Sequence, residues 1–343
     1  MIKTRLLDLI GGGLRYPIIQ AGMGPFETPR LAAAVSKAGG LGIISHWGII
    51  TDPYISCIEK VKKDIEYMKN HSEGPFGVNI RVARIEIEAM DMLRAVLDTR
   101  EKDTEVRKRL RVVITSAGSP RPPSQEIRRG DPDLLHFHVT PTLYHAKKGE
   151  EAQCDAVVAA GYEGGGHQSY EEVNTMVLVP EVVNSVKIPV IASGGFCDGK
   201  GLAAALAMGA IGVQMGTRFI ATQECEFHPK YKELILNAQD KDTAVIQGAF
   251  GPIRLVKNRY LQEHREIMTK EEKMEREKTM TLEEIGEEIK KYELVYRGDV
   301  ENGAAPCGES CGNIHDIPTV QELMERIIWE AEDVIQRFLT MRA

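Results

Sequence analysis

One pattern constrains this chain more than any other. Eight times, a short apolar run leads into a glycine-rich or polar turn, and a longer stretch follows. The eight runs are PIIQAGMG (17–24), LGIIS (41–45), PFGVNI (75–80), RVVITSAGSP (111–120), LLHFHV (134–139), DAVVAAG (155–161), PVIASGG (189–195) and IGVQMGT (211–217). Each is short enough for a buried strand. Several intervening stretches carry helical signals. PRLAAAVSKAG stops at Gly39 and Gly40, a helix is expected to begin near Asp52-Pro53, and a Glu-, Leu- and Arg-rich stretch runs from about 85 to 109. Alternating β and α elements call for a parallel sheet. A doubly wound sheet shares that alternation, but eight strands with polar or glycine-rich ends favour a closed (β/α)8 TIM barrel of the α/β class. In such a barrel the chemistry sits in the loops after the strands.

Composition narrows the class. The 343 residues are 43% apolar and 27% charged, as in an ordinary globular chain. A net charge of −7 argues against a nucleic-acid surface. The basic run KVKKDIEYMK (60–69) is interspersed with acids and apolar residues and reads as the wet face of a helix. Six scattered cysteines are too sparse for a disulfide scaffold. No signal-peptide pattern opens the sequence. The most apolar segments, such as AALAMGAIGVQMG, are interrupted by glycines and suit buried barrel elements better than a membrane span. A cytoplasmic protein without nucleic-acid or membrane partners is the expectation.

After residue 225 the rhythm changes. The segment KEEKMEREKTMTLEEIGEEIKKYELV (270–295) is helical in period but too short in heptads for a coiled coil. IHDIPTVQELMERIIWEAEDVIQRFL (314–339) is amphipathic and reads as a closing helix. The expected organisation is a barrel body over 1–225, a helical lobe with a substrate-side segment over 226–312, and a C-terminal helix over 313–343 packed on the barrel.

Four constellations carry chemistry. Gly22 and Gly24 in AGMG let a ligand ring approach the backbone, and Met23 offers a polarizable sulfur. A tight turn over a core methionine is the plain alternative. Ser193, Gly194 and Gly195 in SGGFCDG, with Gln214, Met215, Gly216 and Thr217 in GVQMGTRF, form two loops after the last two strands. Those loops suit a phosphate, and a following helix would lend its positive end. No GxxxxGK[ST] or Rossmann fingerprint is present. GYEGGGHQS (161–169) places Glu163 and Gly166 around His167, which can move a proton near neutral pH. Asn79 ends the third strand with a donor and an acceptor. His136 and His138 share one face of the fifth strand. With His167 they are not expected to form a metal site, since they lack a close ligand spacing and no convincing further ligands follow. His138 is expected to line a ligand pocket, and His136 to lie in the core. Cys307 and Cys311 have CxxxC spacing without a second pair, which favours a surface loop or a substrate-channel segment over a metal or redox pair. Cys197 lacks a nearby base.

In this order, PIIQAGMG, AGGLGIIS, FGVNI, ITSAGSP, GYEGGGH, IPVIASGG and GVQMGTRF resemble the nitronate monooxygenase family, formerly called 2-nitropropane dioxygenases, and its FMN-dependent enoyl-acyl-carrier-protein reductase relatives. The likeness spans about 14–225 and resumes weakly near Cys307–Val320. It implies a flavoprotein monooxygenase or reductase with FMN as cofactor. Met23 and Asn79 match ring contacts. Gly194, Gly195, Gly216 and Thr217 match the phosphate site, Gln214 lies near the ribityl chain or ring, and His167 matches the catalytic histidine. The sequence departs from the family at GGGH for AGGH, at Val139 where some relatives carry a cation, at His46-Trp47, and at CGESCG. These departures bear on substrate more than on cofactor.

The leading expectation is FMN-dependent oxidation of alkyl nitronates by oxygen to carbonyl compounds and nitrite. The alternatives are an NAD(P)H-dependent FMN reductase acting on an enoyl thioester or quinone, and a non-catalytic flavin-binding protein. Oligomeric state stays open, with a homodimer as one option.

Overall fold

The computed structural model describes residues 2–45, 55–83, 88–248, 250–264 and 268–341. Eight parallel strands form one sheet: β1 (Ile18–Gln20), β2 (Gly42–Ser45), β3 (Phe76–Val82), β4 (Leu110–Gly118), β5 (Leu135–Thr140), β6 (Ala156–Ala160), and then, after the two-residue β7 (Gly166–His167), β8 (Val190–Ser193) and β9 (Val213–Met215). The order β1-β9-β8-β6-β5-β4-β3-β2 brings β1 and β2 to the two edges, and a parallel bridge between Ile19 and Leu41 joins them. The sheet is thus a nearly closed barrel, and each of its strands falls on one of the eight runs. Alternation sorts the side chains. Ile19, Ile43, Ile114, Phe137, Val158 and Ile191 meet in one buried cluster, which Leu6 and Ile10 of the helix Arg5–Ile10 join. Residues of opposite parity, such as Val113 and Val157, pack in separate clusters with apolar residues of the surrounding helices.

Several helices differ from their sequence reading for local reasons. The stretch expected to run from about 85 to 109 is broken into Ala89–Lys102 and Thr104–Arg109, because Asp103 accepts from Glu105 N and Val106 N and caps the second piece. The helix expected near Asp52-Pro53 is described from Cys57, capped by Ser56; Asp52 and Pro53, like His46 and Trp47, lie outside the described residues. That helix (Cys57–His71) buries Val61, Ile65 and Met68 and leaves Lys62 and Lys63 exposed, but Lys60 pairs inward with Glu27 (2.5 Å) and the buried Asp64 (3.1 Å), so the wet face is narrower than expected. The charged 270–295 run forms two helices, Lys270–Thr279 and Leu282–Tyr296, each opened by a reciprocal capping box (Thr269 with Glu272, Thr281 with Glu284).

The segment read as helical also holds two strands. β10 (Thr243–Gly248) and β11 (Gly251–Val256) form an antiparallel hairpin, and β7 pairs with β11. The final helix, Val320–Thr340, packs against Gly199–Ala207 and Pro29–Lys37. No described helix is long and apolar enough to cross a membrane.

Candidate active site

The C-terminal ends of the barrel strands surround a cavity of about 430 Å³. Of the fourteen expected site residues, Gly22, Met23, Asn79, His138, Gly166, His167, Ser193, Gly194, Gly195, Gln214, Met215, Gly216 and Thr217 all line it. Glu163 does not. Its carboxylate accepts from Thr175 N (3.0 and 2.9 Å) and Thr175 Oγ1 (2.7 Å), at the start of the helix Thr175–Ser185. It shapes the loop from beneath.

Each wall is built by its strand end. Met23 N donates to Ser45 Oγ (2.8 Å), which ties the β1 loop to β2. Asn79 and Arg81 are two apart on β3 and share its inward face. The Asn79 amide donates to Ile114 O (3.2 Å), fixing its plane. After β8, Gly194 and Gly195 take φ of 91° and 81°, a region other residues avoid. After β9, Thr217 Oγ1 accepts from Gly308 N (3.0 Å), so its own proton remains available to donate. The helix after β8 does not lend its N-terminus to the cavity as expected. Asp198 takes Gly201 N (2.8 Å), and Glu330 takes Gly199 N (2.9 Å), so protein carboxylates already occupy that end.

His167 owes its position to the hairpin. It sits opposite Ile253 in the β7–β11 pair, and the next residue, Gln168, donates N–H to Pro252 O (2.7 Å). Its ring meets Phe250 edge-on (centroids 5.9 Å apart). On Phe250 lies the Arg81 guanidinium, 4.6 Å from the ring centroid, with Nη2 donating to Phe250 O (3.2 Å). The His167 side chain is exposed to the cavity. Desolvation among the cavity-lining side chains, and then the Arg81 charge, lower its pKa from the usual imidazole value. His167 is therefore neutral at physiological pH, with one ring nitrogen free to accept a proton. His136 and His138 are also neutral. Burial foremost, then the neighbouring histidine, lowers His136 to about 3. Burial and then His145 lower His138 to about 4. Among the described residues no group of three or more His, Cys, Asp or Glu could hold a metal.

The sequence reading missed several lining residues. Arg81 was within reach, because it follows Asn79 at strand spacing. Phe250 and Tyr292 come from the lobe and Pro306 and Gly308 from the CGESCG region, and no local periodicity connects them to the barrel. Cys307 and Cys311 are fully buried, so the surface-loop option for them fails, while their neighbours Pro306, Gly308 and Ser310 reach the cavity wall. Arg254, itself buried, joins these pieces. It donates to Tyr162 O through Nε (3.1 Å) and Nη2 (3.0 Å), and pairs with Glu309 (2.9 Å).

The residues present fit a flavin mononucleotide. The cavity has a glycine-rich side at the ends of β8 and β9, where backbone can approach a phosphate. A Cβ built at Gly195 would meet only Glu163, at 3.6 Å, and one at Gly216 only Ala21, at 3.7 Å. A polar edge at Asn79 and Gln214 and the apolar Met23 side chain suit a planar heteroaromatic ring. Phe26, Phe227, Tyr231 and Tyr292, buried and packed on one another, close one end of the cavity with an aromatic wall.

Comparison with known proteins agrees with this geometry. The profile of the family described as nitronate monooxygenase matches residues 3–330. A Rhodococcus jostii (strain RHA1) (3aS,4S,5R,7aS)-5-hydroxy-7a-methyl-1-oxo-octahydro-1H-indene-4-carboxyl-CoA dehydrogenase is 32% identical, with 100% of this chain and 99% of that protein covered. A probable nitronate monooxygenase of Staphylococcus aureus (strain JH9) is 32% identical over 76% of this chain and 80% of its own length. The solved structure of FabK from Thermotoga maritima superposes with a TM-score of 0.83 at 34% identity, covering 99% of this chain and 100% of that one. The chain belongs to the nitronate monooxygenase family, whose members typically bind FMN and which is related to the FabK-like FMN enoyl reductases.

Proposed function

We propose that this protein is an FMN-dependent oxidoreductase that oxidises alkyl nitronates with oxygen, giving a carbonyl compound and nitrite. One observation carries the reading: a neutral His167 faces the cavity, with the Arg81 cation just across Phe250. A nitronate is a planar anion formed by taking a proton from carbon beside a nitro group. The imidazole can accept that proton from a neutral nitroalkane, or hydrogen-bond a nitronate already formed. The Arg81 guanidinium, which also lines the cavity, would stabilise the negative oxygens. Ser193, Gly194, Gly195, Gly216 and Thr217 would hold the FMN phosphate, with Met23, Asn79 and Gln214 at the ring and ribityl portions. The flavin would supply the electron acceptor that passes reducing equivalents to oxygen. Glu163 and Arg254 position the loop that carries His167. Initial rates of nitrite release from propyl-2-nitronate test the proposal: FMN-loaded protein turns over, and protein that binds FMN yet releases no nitrite refutes it.

A second reading is that the chain is an NAD(P)H-dependent reductase acting on an enoyl thioester or quinone, with the apolar portion of the acceptor against the aromatic wall of the cavity. The Rhodococcus relative, named for a bicyclic acyl-CoA and aligned over the whole chain, supports it. Flavin bleaching by NADH or NADPH separates the two.

A further inference from the structure

Between β4 and β5, on the face turned toward the helices, four side chains stand in line. Cys154 Sγ lies 3.5 Å from His136 Nδ1. His136 Nε2 lies 2.7 Å from Thr115 Oγ1, and Thr115 Oγ1 lies 2.8 Å from His138 Nδ1. All four are buried, and only His138 reaches the cavity, beside Ser116, Pro141 and His145. We infer that Cys154, His136 and Thr115 form a one-way hydrogen-bond relay that fixes His138 as its Nε2–H tautomer, so that this wall offers a bound ligand a neutral donor.

The argument follows from counting protons. Each neutral imidazole has one N–H and one bare nitrogen. Burial pushes the Cys154 thiol up to about 12, so it keeps its proton, and His136 Nδ1 is the acceptor beside it. With Nδ1 accepting, His136 carries its proton on Nε2 and donates to Thr115 Oγ1. The threonine has one proton of its own. The His136 contact is already used as an acceptor, and the remaining alternative, Phe137 O, lies 3.5 Å away. The hydroxyl therefore donates to His138 Nδ1 at 2.8 Å. The second nitrogen of His138 then bears the hydrogen, on the ring edge that Thr115 leaves free. Such a donor selects ligands that present an oxygen or a ring-nitrogen lone pair there, and it rejects donors, which would leave two N–H groups opposed. It also divides the labour between histidines: His138 gives a hydrogen bond, and His167 stays free to take a proton. Cys154, His136 and Thr115 act through His138 and are positioning residues.

Long-range ¹H–¹⁵N spectra of histidine-labelled full-length protein read the tautomers directly, with His136→Gln and His138→Gln assigning the rings. Both rings are expected as Nε2–H at neutral pH. Thr115→Val should leave His136 unchanged and give His138 averaged nitrogen shifts, because the pin on Nδ1 is gone. Cys154→Ala should average both rings, and Cys154→Ser, which keeps a donor, should restore the parent pattern. A mere packing role for Cys154 would give the opposite ranking, with alanine tolerated and no tautomer change. His138 found as Nδ1–H, or an unchanged His138 spectrum in folded Thr115→Val, overturns the relay.

Discussion

Gly165→Ala tests how the site is held together. A Cβ at position 165 would sit 2.5 Å from Gly308 N, 2.6 Å from the Cys307 carbonyl carbon and 2.9 Å from Cys307 Cα. These are backbone atoms, so no side-chain rotation relieves the clash. Ordinary contact begins at 3.4 Å, so the 307–308 segment must retreat by about 0.9 Å. That segment is tied down by Gly308 N to Thr217 Oγ1 (3.0 Å) and by Glu309 N to Glu163 O (2.9 Å). A shift of that size stretches the first bond beyond hydrogen-bonding range and drags on both the Thr217 loop and the His167 loop. Overpacking of this kind costs about 1–3 kcal/mol. A displacement near 1 Å at reacting groups costs on the order of 100-fold in rate. Gly164→Ala is the control. Its Cβ would lie 3.3 Å from Gly161 O and 3.5 Å from Gln168 Nε2, so a few tenths of an ångström suffice, and the family's AGGH form carries alanine there. Nitrite-release rates on FMN-saturated protein, with thermal unfolding alongside, should show Gly165→Ala down by roughly 100-fold and Gly164→Ala within about twofold of the parent. Equal effects at the two positions, or a Gly165→Ala protein with parent rates, would refute the proposed coupling between the 307–308 segment and the catalytic loop.

Other outcomes follow from the same geometry. His167→Ala should lower turnover by roughly 10²–10⁴-fold while FMN affinity holds, as measured by flavin fluorescence titration; parent turnover would remove His167 from the mechanism. Arg81→Met should raise KM for an anionic substrate. Because the Arg81 charge lowers the His167 pKa, its loss should also move the acid limb of the kcat/KM profile to higher pH; an unmoved limb would contradict the electrostatic link. His136 and His138, lowered to about 3 and about 4, are protonated more readily when unfolded than when folded. Their stabilisation is fully present above about pH 6.5 and is lost as pH falls toward the folded values, each contributing a slope of about 1.4 kcal/mol per pH unit in between. Urea unfolding at several pH values should therefore show a shallower acid-side decline in His136→Gln, by up to about 1.4 kcal/mol per pH unit.

The barrel was legible because its strands are short apolar runs separated by glycine and polar turns, and eight such runs leave few architectures. The glycine loops after β8 and β9 were legible for the same reason, since unusual backbone needs unusual residues. Asn79 was readable as a polar residue in an apolar strand, although β3 runs on to Val82 and Asn79 is not its end, and Arg81 could have been read from its i+2 spacing. Phe250 could not. It reaches His167 because β7 pairs with β11, a contact between segments about 85 residues apart whose sequences carry no shared periodicity. The hairpin itself was hidden between charged helical stretches, and its strand β11 is buried throughout, so it shows no alternation to reveal it. Glu163 was marked by its place in the loop, but only the structure shows its carboxylate turned to Thr175 and away from the cavity.

The most direct test of the central claim is anaerobic rapid mixing of FMN-loaded protein with propyl-2-nitronate, NADH and NADPH in separate runs, followed by flavin absorbance. Prompt change in the flavin spectrum with the nitronate, and none with either nicotinamide, is the predicted result. Bleaching by NADH or NADPH without reaction with the nitronate would contradict nitronate oxidation and place the chain with the reductases.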